Sequence, residues 1–369
     1  NLFGLTARTT KREGGEIGRS TPKRVEIAGH FVHFDDGSFK ERGNYWSTAD
    51  DIKMTAARLK ESAAAGKYDH LLIYAHGGLN SPDDSARRVA ALKDGYLRNR
   101  IYPFHIMYDT GLAEEVKDAV LRALPGRRAE GFAGDMLDRL VEQSDLLIED
   151  TVRKPVTPLW DEMKRDAFLP FQRAGGRESD GLFVIRTFAE ALQGSAMKIH
   201  LAGHSTGAVL LGHLLQALDG LKVAELISSC SLMAPACAID FYREHYEPRL
   251  GKTKGGMVSL PALDIYNLNE TLELDDEVAY VYRKSLLYLV SRALERQIDK
   301  PLLGMQRYAK KLPAHPQLSL HYSDGTKGVT TSTSHGGFDN DANTMNAILR
   351  RMLGKNAEKP FLEGEMQGY

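Results

Sequence analysis

The chain has 369 residues, and its 48 Lys and Arg nearly cancel 49 Asp and Glu, leaving a formal charge of −1. That balance supplies no positive field for nucleic acid, and two cysteines cannot build a disulfide framework or a four-cysteine zinc site. The 42% hydrophobic content suffices for a core, no apolar run approaches the ~18 residues of a membrane span, and no apolar segment of signal-peptide type follows the basic amino terminus, which makes the cytoplasm the default expectation.

Residues 1–23, rich in Thr, Arg, Lys and Gly, read as a peripheral arm. Arg24 to Phe34 has the β-branched and aromatic content of a strand, and Asp35-Asp36-Gly37 reads as the hairpin turn behind it. A helix is expected over Asp50–Ala65, stopped by Gly66. Asp69–Ala75 (DHLLIYA) is apolar without alternation, the pattern of a strand covered on both faces. His76-Gly77-Gly78-Leu79 follows it, and Ser81-Pro82-Asp83-Asp84 opens the next helix. Tyr102–Tyr108 is a further strand.

From Gly111 to about Gly181 the pattern turns helical and amphipathic, notably in Glu114–Leu124 and Gly134–Ile148, with breaks expected at Pro155, Pro158 and Pro170. Then helix Leu182–Leu192, strand Lys198–Ala202, helix Ala208–Leu218 and strands Leu226–Leu232, Leu263–Leu268 and Leu318–Tyr322 precede a closing helix from about Asn340 to Leu353. Strands alternating with helices predict an α/β fold, with a mostly parallel central sheet and helices on both faces. Residues 24–369 then form one domain, into which 111–181 is inserted as a helical cap.

Gly203-His204-Ser205-Thr206-Gly207 stands between a predicted strand and a predicted helix. A G-x-S-x-G in that junction is the setting of a nucleophile elbow: the serine sits in a tight turn, and the glycines let neighbouring backbone pass without a Cβ. A nucleophilic serine needs a base. His335, in Ser334-His335-Gly336-Gly337-Phe338-Asp339, lies after the last strand and before the last helix. An acid is expected after Leu263–Leu268. Asp276, two residues ahead of the returning apolar Val278, is the choice there, with Asp275 and Glu270 open as alternatives. The oxyanion of an acyl-transfer intermediate needs backbone donors. Thr206, directly after the serine, is one; Gly77 or Gly78, behind a buried strand, supplies the other.

HGG behind a strand, GHSTG at an elbow, an acid after a later strand and SHGGFD before the closing helix together resemble the α/β-hydrolase superfamily, on its lipase and esterase side. The resemblance covers about 68–353 except 111–181, and the HGG lacks the longer glycine run of some esterases. It implies a Ser–His–acid triad of Ser205, His335 and Asp276, no cofactor or metal, and a small-molecule or lipid-like ester as substrate. Amides, thioesters and lactones yield to the same triad. The rival expectation is a hydrolase-fold binding or effector domain without turnover. Other motifs dissolve on inspection: Gly251-Lys252-Thr253 lacks the opening Gly of a phosphate loop, Asp339-Asn340-Asp341 lacks the Gly and Glu of a calcium loop, and Cys230 and Cys237 sit in or beside an apolar strand as core residues.

Overall fold

The computed structural model describes residues 20–78, 80–108, 118–119, 135–172, 178–221, 227–251, 255–278 and 282–366. The expected arm lies almost wholly outside them, as do Leu79 and most of the expected helix 114–124. Where one strand was expected over 24–34, the chain first makes a helical turn, α1 (Arg24–Ile27). The Glu26 carboxylate reaches back to the Lys23 amide, and Gly29 at φ +83° redirects the chain before β1 (Phe31–Asp35) begins. Local capping thus overrides the β-propensity of Val25 and Ile27. The Asp36-Gly37 turn, both residues at positive φ, leads into the short antiparallel β2 (Ser38–Phe39).

Helix α2 (Ala49–Ala64) is opened by a Thr48–Asp51 capping box, and β3 (His70–Ala75) follows. A second box, Ser81–Asp84, starts α3 (Pro82–Leu97), which leads to β4 (Ile101–Tyr108). The remaining elements are α4 (Asp135–Phe168), α5 (Asp180–Leu192), β5 (Lys198–His204), α6 (Gly207–Leu218), β6 (Ile227–Met233), α7 (Ile239–His245), β7 (Leu263–Leu268), α8 (Glu270–Asp275), α9 (Leu286–Leu289), α10 (Gln306–Ala309), β8 (Leu318–Ser323) and α11 (Ala342–Leu353).

The strands form one eight-stranded sheet in the order β2-β1-β4-β3-β5-β6-β7-β8, parallel except for the β1–β2 hairpin. Alternation within β3 divides the core. Leu72 and Tyr74 pack into one layer with Leu92 and Tyr96 of α3 and Met345 and Ile348 of α11. Leu71, Ile73 and Ala75 pack into the other, with Ile52 and Leu59 of α2, Val184 and Phe188 of α5, and Leu210 and Leu214 of α6. Both faces are covered, as the unalternating sequence of β3 requires.

This topology positions the site. β4 lies on one side of β3 and β5 on the other, so the connections leaving β3 and β5 diverge. Divergent connections open a crevice at the carboxyl ends of the two strands, the position where open α/β sheets bind ligands. His76-Gly77-Gly78 and Ser205–Gly207 lie at those strand ends.

Helix α4 departs from expectation, running for 34 residues straight through Pro155 and Pro158. An interior proline costs ~3 kcal/mol, and packing offsets it. Ile148, Val152, Val156, Trp160 and Met163 form a buried seam in the same cluster as Val278, Tyr282, Leu286–Val290, Ala293 and Leu294. Polar contacts flank the seam: Lys284 to Asp145 at 3.0 Å, Tyr282 Oη to Glu149 at 2.7 Å and Trp160 Nε1 to Glu295 at 2.8 Å. Pro170 does end the run, in a 3₁₀ turn, Leu169–Phe171. The apolar 285–294 stretch is buried, as α9 followed by a π-helical turn, Val290–Leu294.

Candidate active site

Ser205 lies between the end of β5 and the start of α6 with φ +54°. A residue with a Cβ avoids this left-handed region unless its surroundings impose it. Here they do: the Ser205 N–H donates to Met233 O at 2.8 Å, and its carbonyl accepts from Ala236 N at 3.0 Å. Both bonds tie the turn to the end of β6. The flanking glycines are required by crowding. A Cβ on Gly207 would stand 2.3 Å from the Ala75 carbonyl oxygen, and one on Gly203 3.1 Å from the Gly207 carbonyl carbon.

His335 begins a 3₁₀ turn, His335–Asn340, between β8 and α11. Its Nε2 stands 3.0 Å from Ser205 Oγ, within reach for taking the hydroxyl proton. Burial pushes the His335 pKa down to about 3, so the ring is neutral at physiological pH and able to accept that proton. Asp276, just past the end of α8, is buried and places Oδ2 2.9 Å from the main-chain N–H of His335. Its Oδ1 accepts from the Glu277 N–H at 3.0 Å. The carboxylate is thus docked on the residue it is expected to serve, through the backbone. Burial raises its pKa to about 7, against the lowering effect of those two amide bonds. Asp275 is exposed at the end of α8, and Glu270 faces Arg307 and Lys310. Neither is brought to His335 by any recorded contact.

The glycine loop behind β3 lies against the elbow. A Cβ on Gly77 would come within 3.2 Å of the Ser205 Cβ. The N–H of Gly78 donates to Thr206 Oγ1 at 2.5 Å, and that hydroxyl also bonds Tyr108 Oη at 2.8 Å. Tyr108 Oη lies 3.2 Å from the His76 carbonyl oxygen as well. In this state the Gly78 amide is therefore engaged by Thr206. The two loops that would frame an oxyanion are bound to each other through the Thr206 side chain, at the amino-terminal end of α6, where backbone N–H groups and the helix dipole favour negative charge.

Sequence reasoning passed over a second polar group beneath this site. His204, inside the GHSTG string, directs Nε2 at the His335 carbonyl oxygen, 2.9 Å away. Asp339, set aside with the calcium-loop reading, is fully buried, pairs with Arg88 of α3 and accepts from Tyr74 Oη at 2.8 Å, with His204 Nδ1 3.5 Å away. The available signal was proximity in sequence: His204 adjoins Ser205, and Asp339 is four residues past His335. Cys230 and Cys237 are buried free thiols whose pKa values burial raises, Cys237 to about 12, which makes both poor nucleophiles. Among the described residues no cluster of three His, Cys, Asp or Glu side chains is arranged to hold a metal, and no helix is long and apolar enough to cross a membrane.

Comparison with known proteins returns no match: no family's sequence pattern fits the chain, and no curated protein or solved structure is similar to it. A functional reading therefore stands on the geometry alone.

Proposed function

We propose that the chain is a serine hydrolase of α/β-hydrolase type that cleaves carboxylic esters through an acyl-enzyme. The observation that carries this reading is the forced φ of +54° at Ser205 together with His335 Nε2 at 3.0 Å from its hydroxyl. In the proposed cycle Ser205 attacks the acyl carbon while His335 takes its proton, then returns it to the departing alkoxide. Asp276 stabilises the cationic ring, and water attacks the acyl-enzyme with His335 again as base. The amides of Thr206 and of the Gly77–Gly78 loop receive the oxyanion; Gly78 would exchange its bond to Thr206 for one to the substrate oxygen. We read α4 as the described part of the cap, with 111–134 lying almost wholly outside the described residues. Trp160 and Met163 of α4 belong to the same extended buried cluster as Ala234 and Ala236, which follow β6, and that shared core is the support for an apolar covering.

The test is reaction with a fluorophosphonate probe and turnover of p-nitrophenyl esters, beside amide, thioester and lactone substrates. Wild type should label at Ser205 and hydrolyse esters, and Ser205→Ala should do neither. His335→Ala should lose a similar factor, because triad members act as a unit. An unlabelled wild type would leave a non-catalytic binding or effector domain as the better account.

A further inference from the structure

We propose that His204 and Asp339 are positioning residues that clamp the His335 turn from the side opposite Asp276; the idea rests on the hydrolase reading for its catalytic consequence. The main chain of His335 is held at both of its polar groups. Asp276 Oδ2 accepts from its N–H, and its C=O accepts from His204 Nε2, each at 2.9 Å. A carbonyl oxygen can only accept, so His204 must carry its proton on Nε2. Burial drives the His204 pKa well below its ordinary value, so the ring stays neutral and locked in that tautomer. Its role is to orient, and it relays no proton.

At the far end of the same turn Asp339 fixes the frame. Its carboxylate meets the Arg88 guanidinium and the Tyr74 hydroxyl, both buried, while the unprotonated His204 Nδ1 lies 3.5 Å away and donates nothing to it. Arg88 belongs to α3, Tyr74 to β3 and His204 to β5. β3 runs directly into the Gly77–Gly78 loop, and β5 runs directly into Ser205. The network therefore references the histidine turn to the same two strands that carry the oxyanion loop and the nucleophile, although Ser205 and His335 are 130 residues apart in the chain. A misplacement of ~1 Å at a reacting group can cost on the order of 100-fold in rate, so a catalytic histidine on a connecting turn needs such a reference. A glutamine at 204 can present an N–H where Nε2 stands, whereas asparagine is too short to do so.

The experiment compares His204→Gln, His204→Asn, His204→Leu and Asp339→Asn with wild type. Two measurements are made: the fluorophosphonate reaction rate with kcat, KM and their pH profile, and hydrogen–deuterium exchange of the peptide spanning 335–340. His204→Leu and His204→Asn should lose about 100-fold in kcat with KM within about twofold. The inflections of the pH profile should stay in place, because the His204 ring does not titrate in the cycle. His204→Gln should recover most of the loss. Exchange of the 335–340 peptide should quicken in the Leu, Asn and Asp339→Asn variants and remain near wild type in Gln. The clamp is overturned if Gln and Asn behave alike in both measurements, or if exchange of that peptide is unchanged in every folded variant. A wild type inert to the probe sinks the hydrolase reading alone, since the exchange pattern still decides whether the clamp exists.

Discussion

At the scale of single residues, burial governs the chemistry. Asp276 illustrates the sign of the effect. Its pKa is raised to about 7 in the folded chain, against an ordinary value of about 3.9 for an exposed or unfolded aspartate. Above pH 7 both states are ionised, and the folded one carries the desolvation cost. As pH falls from 7 toward 4 the folded state binds a proton that the unfolded state does not, so this group's contribution to stability improves. Asp276→Asn removes the charge but keeps a single acceptor oxygen, so it can serve only one of the His335 and Glu277 amides and sets its NH2 against the other. At pH 8 the relief of desolvation, at most ~4 kcal/mol for a shift of about three units, is opposed by the ~1–3 kcal/mol of the amide left without an acceptor, and the variant should lose ground to wild type as pH falls toward 4. The same variant should lose most turnover, as Asp275→Asn should not. A thermal-denaturation series across pH, run beside kinetics on both variants, checks this; a variant that gains on wild type upon acidification would contradict the assignment. The residue types of the site were legible because GHSTG and SHGGFD flank predictable elements. The clamp was not, because nothing in a linear sequence tells a buried Asp339 from a solvated one, or brings Arg88 and Tyr74 to it.

At the scale of elements, strands were the most legible. Leu263–Leu268 has the expected bounds, and the other parallel core strands begin or end within two residues of expectation. Hydrophobic runs bounded by turn residues carry that information locally. The two departures have a common cause. At α1 a side-chain cap, and at α4 a tertiary seam, outweigh residue propensities that a sequence reading applies position by position. The seam itself can be tested. Trp160 is buried and hydrogen-bonded to Glu295, so Trp160→Ala should cost ~3–5 kcal/mol. If α4 is integral to the core, calorimetry should give one cooperative transition at lower temperature. An early separate transition at an unchanged main melting point would show that α4 unfolds as an independent unit.

At the scale of the molecule, the site is closed. Ser205, His335 and Asp276 are 2%, 1% and 5% exposed, respectively. Under the proposed cap and mechanism, a serine this buried is suited to substrates that bring apolar surface with them. Each methylene buried adds ~0.8 kcal/mol, or about fourfold in kcat/KM. Activity on p-nitrophenyl esters should therefore climb from acetate through several carbons and level off when the available space is filled. A flat series would remove the cap from selectivity without touching the triad. The mostly parallel architecture followed from the strand–helix alternation, whereas the order of strands did not. The placing of β4 and β5 on either side of β3 is a long-range property of pairing that no local pattern encodes.

The left-handed turn at Ser205 sets function against durability. Holding a side chain at φ +54° costs roughly 1–2 kcal/mol relative to a residue without a Cβ. Ser205→Gly should consequently melt above Ser205→Ala, and above wild type wherever the lost hydroxyl contact is worth less than the relieved strain. The inactive glycine variant would then be the more robust protein. Under the proposed mechanism such a variant suits the trapping of a bound ester, since it removes the nucleophile and relieves the strained φ in a single substitution.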